Sequence, residues 1–268
     1  MRLFYQSLGA SRRSTDGPYA RALAAILDKA AAPGTEIVVH GLSPGKAIAD
    51  QYRYLEFRDT GEIIENGLKA EREGYDAFLL GNIFEPGLHA LRELLNIPVL
   101  GLCEASVHLA CLMGASFSVV NVNAKFARRV AENIAAYGLA GRLASMEEIE
   151  VERAGQFDRA FEDEAAKGAV IERFRAAARR GLAKGAECVI PAGGIVMTIL
   201  ADAGIHEIDN APVVNGLIAL VKIGELAVNM RALTGHFTSK RLTYAPPSGA
   251  LLDDIRRAYG SEVYPGAR

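Results

Sequence analysis

Gly74-Tyr-Asp-Ala-Phe-Leu-Leu-Gly-Asn82 runs on through a helical stretch to Ile97-Pro-Val-Leu-Gly101, and the chain later repeats the pattern: Gly185-Ala-Glu-Cys-Val-Ile-Pro-Ala-Gly193 runs on to Ala211-Pro-Val-Val-Asn215. Each unit begins with glycine, carries an acidic residue two positions later, crosses a short apolar run and turns eight positions on, at Asn82 and Gly193. An apolar run bounded by glycines and followed by an amphipathic stretch is a βα unit with a strand buried on both faces. Two such units imply two similar α/β halves. In open parallel sheets ligands settle outside the carboxyl ends of the strands, so facing halves set Asn82 and Gly193 on opposite walls of one cleft.

The alternation continues in both directions. Strands are expected near 3–6, 36–40, 77–81, 99–102, 116–121, 149–152, 188–191 and 213–215. Helices are expected at 18–29, 61–73, 87–95, 106–113, 126–137 and 165–184, with an apolar helix at 217–230 and a last one at 250–259. The fold class is therefore α/β, with two pseudo-symmetric halves, each a parallel four-stranded sheet flanked by helices. Residues 1–115 make the first half, with the C-terminal 217–268 packing back on it, and 116–216 make the second. The charged stretch 157–167 reads as a solvated surface segment.

Composition narrows the function classes. The chain has 268 residues, half of them hydrophobic and 23% charged, and its 30 Lys+Arg against 32 Asp+Glu leave a net charge of -2. That balance lacks the basic footprint of a nucleic-acid binder. No run approaches the ~20 apolar residues of a membrane span, and the first residues read as a strand rather than a signal peptide, which places the protein in the cytoplasm. Cys103, Cys111 and Cys188 form no C-x-x-C pair, and the five histidines never fall in metal-binding spacing, so neither a disulfide framework nor a metal site is expected. Gly9-Ala-Ser-Arg-Arg13 lacks both nucleotide-binding spacings, so no nucleotide cofactor is expected either.

These residues resemble the Asp/Glu/hydantoin racemase superfamily. The resemblance covers nearly the whole chain and rests on Gly74-Tyr-Asp-Ala-Phe through Glu85-Pro-Gly-Leu88, on Ile97-Pro-Val-Leu-Gly-Leu-Cys-Glu-Ala105, on Gly114 with Phe117-Ser-Val-Val120, and on Thr238-Ser-Lys-Arg-Leu-Thr-Tyr-Ala-Pro-Pro247. The last two blocks look closest to the hydantoin and allantoin racemase branch. The resemblance implies two α/β halves with the site between them, a homo-oligomer, and an enzyme that works without cofactors on a small anionic or carbonyl-bearing substrate. It also implies two cysteines, one from each half, as base and acid on opposite faces of the carbon α to a carbonyl. A thiol suits that task because its pKa, roughly 8.5, can be tuned toward the working pH. Here Asn82 and Gly193 stand at those two positions, and neither 81–87 nor 191–197 holds a cysteine.

Several residues remain as candidates. Cys103 and Glu104 follow the 99–102 strand; the resemblance carries Glu104 over as a site residue, while Cys103 is either a replacement nucleophile or proton donor or a small buried side chain at a strand end. A helix beginning near Ala105 or Ser106 would offer its free N–H groups to an anion. His40, at the end of the second strand, is a general base or a structural donor. Gln6 and Ser7 stand where the resemblance implies contacts to substrate amide and carboxylate groups, and Asn121 and Asn123 where it implies hydrogen bonds to a carboxylate or carbonyl. The bare loop at Gly193 and Gly194 lets backbone N–H groups approach an oxyanion. Tyr52 and Tyr54 lie in a loop placed to lid the cleft. Without the thiols, a one-base reaction such as decarboxylation or hydrolysis, with Cys103, Glu104 or His40 handling the proton, fits these residues better than two-base racemisation, although racemase or isomerase is what the resemblance implies. The second reading is a catalytically silent relative that keeps the cleft for ligand binding.

Overall fold

In the computed structural model, which describes residues 1–9, 17–46, 50–151 and 154–267, strand and helix alternate from Arg2 onward. The order is β1 (Arg2–Gln6), α1 (Pro18–Ala30), β2 (Glu36–His40), α2 (Arg53–Arg72), β3 (Ala77–Leu80), α3 (Leu88–Leu94), β4 (Val99–Gly101) and α4 (Leu102–Met113). It continues with β5 (Phe117–Asn121), α5 (Ala124–Ala136), β6 (Leu143–Glu148), α6 (Glu164–Ala183), β7 (Cys188–Pro191), α7 (Gly194–Asp202), β8 (Glu207–Ile208), β9 (Ala211–Pro212), α8 (Gly216–Thr234) and α9 (Gly249–Tyr259). The first sheet is parallel in the order β2-β1-β3-β4, and the second is parallel in the order β6-β5-β7. Register pairs Gln6 with both His40 and Leu80, and Leu80 with Gly101, so the carboxyl ends of the first sheet lie level.

The structure corrects several sequence expectations. Among the described residues the second sheet has three strands rather than four, because Val213 joins β7 through a single parallel bridge to Val189 instead of a strand over 213–215. Its edge strand β6 precedes the expected 149–152; Leu143-Ala-Ser-Met-Glu-Glu148 is half-buried and carries no apolar run to betray it. The short β8 and β9 form a hairpin through Asp209 and Asn210, both at positive φ (48° and 65°), which the sequence reading passed over. Helix α2 starts at Arg53, not 61, so Tyr54 sits in its first turn and Tyr52 just before it rather than in a lid loop. The stretch 157–167 is not simply solvated: Phe157 and Ala160 are buried in the core, and Phe161 packs on Tyr19 with ring centroids 5.4 Å apart. Residues 10–13 of the glycine-started stretch after β1 lie outside the described residues. Among the described residues, no helix is long and apolar enough to cross a membrane.

A single apolar core runs through both sheets, joining Leu79 and Leu100 to Val119, Ile190 and the α8 residues Leu217 and Leu220. A smaller core fills the other face of the first sheet beneath α2 and α3, around Phe4, Ile63, Phe78 and Leu91. Helix α8 fits against α4 and β3 because Gly216 and Gly224 leave room for Ser106 and Leu79. The sheets also meet near their carboxyl edges: a Cβ on Gly194 would lie 3.9 Å from the Gly81 carbonyl oxygen and 3.4 Å from the Tyr19 hydroxyl.

Glu85 ties the halves together from within. Its backbone sits at φ 56°, and its buried carboxylate accepts the Glu104 N–H (2.8 Å), the Asn133 amide of α5 (3.3 Å) and the Tyr137 hydroxyl. Gly101 is required beside it, since a side chain there would overlap the carboxylate. Burial pushes the Glu85 carboxyl from 4.5 up to about 7, against the Tyr137 and Glu104 hydrogen bonds that favour the charged form. A folded-state pKa raised above the unfolded value contributes stability that is complete below the unfolded value and lost as pH rises through the folded one. Urea unfolding of the wild type should therefore lose up to about 3 kcal/mol from this group between pH 4.5 and 8, and the Glu85→Gln variant should show a correspondingly flatter profile over that window. Equal slopes in the two proteins would show that Glu85 titrates normally.

Candidate functional site

The two sheets bring the ends of β1 and β3 opposite the ends of β5 and β7. Phe84, two residues past Asn82, meets Phe126 of α5 with ring centroids 4.3 Å apart, and a Cβ on Gly193 would lie 3.5 Å from that same Phe126 ring. Asn82, Gly193 and Gly194 thus gather at one place, as the repeated units imply. Gly193, at φ 106°, turns the chain from β7 into α7, and no side chain caps that helix. The first N–H groups of α7, at the positive end of the helix dipole, stand at the carboxyl edge of the second sheet, where they suit an anion or a developing oxyanion.

Asn82 is held in one orientation. Its Oδ1 accepts the Phe84 N–H at 2.8 Å, which leaves Nδ2 to donate to Asp50 Oδ2 at 2.7 Å. Asp50 keeps part of its surface open while protein atoms crowd it on all sides, and this burial pushes its carboxyl above the ordinary 3.8, with the nearby Glu56 charge adding to the shift and the Asn82 hydrogen bond opposing it. Sequence reasoning missed Asp50. The available signal was its place immediately before the segment read as a lid.

That segment is pinned to α5. Arg129 makes a bidentate pair with Glu56, one arm at 2.8 Å, and lies over the Phe84 ring at 5.1 Å. Arg53 pairs with Glu132, and Lys125 Nζ stands 4.7 Å over the Tyr52 ring. Three contacts to α5 hold the start of α2 and the residue before it, next to Asp50.

The remaining candidates are placed as follows. Gln6 is fully buried, accepting from Asn66 of α2 at 2.9 Å and donating to the Ser7 carbonyl at 3.0 Å; Ser7 is buried too, its N–H on the His40 carbonyl at 2.7 Å. The His40 ring stacks on Phe4 at 3.9 Å, with Nε2 3.3 Å from the Tyr75 hydroxyl, and burial followed by the Lys69 charge lowers its pKa. Asn121 is buried, donating to the Val119 carbonyl at 3.2 Å and the Glu147 carbonyl at 3.4 Å, while its Oδ1 has no hydrogen-bond partner among the described residues. Asn123 caps α5 by accepting the Phe126 N–H at 3.0 Å and donates to the Val151 carbonyl at 3.0 Å.

Cys103 and Glu104 sit in the first turn of α4, which begins four residues before the expected Ser106. The anion expected at this helix start is supplied by the chain itself, since Glu85 takes the Glu104 N–H. The Glu104 carboxylate forks onto Arg92 (Nη1 at 3.0 Å) and borders a separate cavity of about 340 Å³ with His108 and Tyr244. Cys103 is fully buried, its thiol pushed well above 9.0 by burial and then by Glu85 and Glu104. Among the described residues, no group of three or more His, Cys, Asp or Glu side chains is placed to hold a metal ion.

Comparison with known proteins agrees with this architecture. The family description Asp/Glu/Hydantoin racemase matches residues 14–224. The hydantoin racemase of Pseudomonas sp. (strain NS671) is 34% identical over 218 residues, covering 81% of this chain and 82% of that protein. Allantoin racemase from Klebsiella pneumoniae has a similar fold, with a TM-score of 0.76 at 24% identity over 93% of this chain and 94% of its own. Allantoin racemase from Pseudomonas fluorescens gives a TM-score of 0.72 at 26% identity, covering 93% and 98%.

Two measurements test this geometry. Truncating either Glu56 or Arg129 to alanine strands a largely buried partner and should lower stability by about 3 kcal/mol, with the double variant losing less than the sum of the two; strictly additive losses would mean that the pair is not formed. Iodoacetamide should leave Cys103 unmodified in the native protein and label it only after denaturation. Rapid native labelling at Cys103 would show the thiol to be open and ionised.

Proposed function

The chain belongs to the Asp/Glu/hydantoin racemase family, and on that premise we propose that it acts without a cofactor at the carbon α to a carbonyl or carboxylate of a small acid, cyclic amide or ureide. The substrate lies between the half made by 1–115 together with 217–268 and the half made by 116–216. Relatives named hydantoin racemase and allantoin racemase support a ring carrying both amide and carbonyl groups.

One observation carries the reaction type: the two positions matched to the family's thiols hold an amide, Asn82, and a residue with no side chain, Gly193. Inverting a carbon needs a proton-transfer group on each face; exchanging its proton, or replacing a departing carboxylate by a proton, needs one. In exchange, the C–H bond breaks, the proton goes to the base, and the electron pair moves onto the carbonyl oxygen as an enolate. In decarboxylation, CO₂ leaves, the same enolate forms, and an acid protonates its carbon. In both cases the negative charge develops where the N–H groups at the start of α7 can meet it. The reading is of chemistry on the Asn82 face alone. The bare Gly193 wall also favours a second reading, a ligand-binding relative that performs no turnover.

Proton NMR in deuterium oxide, with optically pure hydantoins, allantoin, amino acids and arylmalonates, separates these readings. The expected result is loss of the α-proton signal, or of CO₂ from a malonate, with optical rotation of chiral substrates retained. Loss of rotation in step with exchange would overturn the one-face chemistry. Silence across the panel accompanied by ligand-induced thermal shifts would establish the binding protein instead.

A further inference from the structure

We propose that Asp50 takes and delivers the proton in this cleft, with Asn82 as its positioning residue; this rests on the one-face reading above and names the group that carries it.

The other ionisable candidates are engaged. Cys103 is sealed in the core, Glu104 is forked onto Arg92, the His40 ring is stacked on Phe4, and Glu85 is bound by three donors. Asp50 is only half-buried, and it differs from all of them in its direct contact with the residue that stands at the first thiol's position. Its hydrogen bonding leaves capacity for chemistry. A carboxylate offers about four acceptor positions, and among the described residues the Asn82 amide with the N–H groups of Asp50 and Gln51 takes three of them.

Asn82 cannot itself be a base, but its orientation gives it a use. With Oδ1 committed to the Phe84 N–H, the amide can present only N–H to Asp50, and so it fixes the carboxylate at the wall. The proton path is balanced in either reaction. As a base, Asp50 receives the proton from the breaking C–H bond while the electron pair moves to the carbonyl oxygen, and it returns a proton to the same face. After loss of CO₂, protonated Asp50 gives its proton to the enolate carbon, and solvent reprotonates the carboxylate. Among the described residues, the charged groups that act on it are Glu56 of α2, which disfavours ionised Asp50, and Arg129 of α5, which is paired to Glu56 and attracts it.

The test uses the full-length protein and whichever substrate the wild type exchanges or decarboxylates. Asp50→Asn should lower kcat by about 10²- to 10⁴-fold while the Kd for that substrate stays within about threefold. Asp50→Glu should recover part of the rate and displace the acid limb of the pH–kcat profile, and Asn82→Ala should lower kcat by about tenfold or more without weakening binding. Turnover of Asp50→Asn within threefold of wild type would overturn the assignment and leave the one-face reading standing. If Asp50→Asn loses its cooperative melt, the decision passes to Asp50→Glu, whose unmoved acid limb would also overturn it. Silence of the wild type overturns the parent reading and this one together, and shows itself before any variant is made.

Discussion

A carboxylate taken out of water must be repaid in hydrogen bonds, and Glu85 draws that payment from three donors on two separate parts of the chain. Its donors come from the first turn of α4 and from Asn133 and Tyr137 at the end of α5. No two of these elements can shift without stranding the charge, so the first sheet, the helix leaving β4 and the helix leaving β5 are locked as one body. The cost of a non-glycine residue at φ 56° is accepted at Glu85 because that conformation aims the side chain inward. The strand ends that form the cleft inherit their level and separation from this lock.

On that frame the cleft is assembled from dissimilar devices. Its floor is made by absence of bulk, with Gly194 lying close to the Gly81 carbonyl and Gly81 leaving room for the Tyr5 ring. Its closure is electrostatic, in the alternating charges of Arg53, Glu56, Arg129 and Glu132. The apolar core passes beneath both, so the polar groups above it rest on a surface that cannot yield to accommodate them.

Much of this was written plainly in the chain. The echo between residues 74–82 and 185–193 contained the two-sheet architecture and the convergence of Asn82 with Gly193, because a buried parallel strand must be an unbroken apolar run and its end must turn. Where periodicity is silent, reading failed. Strand β6 is half-exposed, and the first two turns of α2 face solvent and α5 rather than the core, so neither shows an apolar stripe. The Asp50–Asn82 contact was invisible for a related reason: it spans 32 residues of chain, and no local pattern announces it. The pairing of Glu104 with Arg92 was likewise unreadable, since a first-turn acid beside a strand end looks the same in sequence whether it faces a ligand or an arginine.

The inequality of the two walls has a stereochemical consequence. An enolate is flat and keeps no memory of the configuration it came from, so the handedness of whatever leaves the cleft is decided by the side from which hydrogen arrives. A chain built from two near-copies would naturally serve both sides alike and return a mixture. Under the proposed one-face chemistry, a copy carrying Asn82 and Asp50 set against one stripped to Gly193 would turn an internal symmetry into a chiral preference.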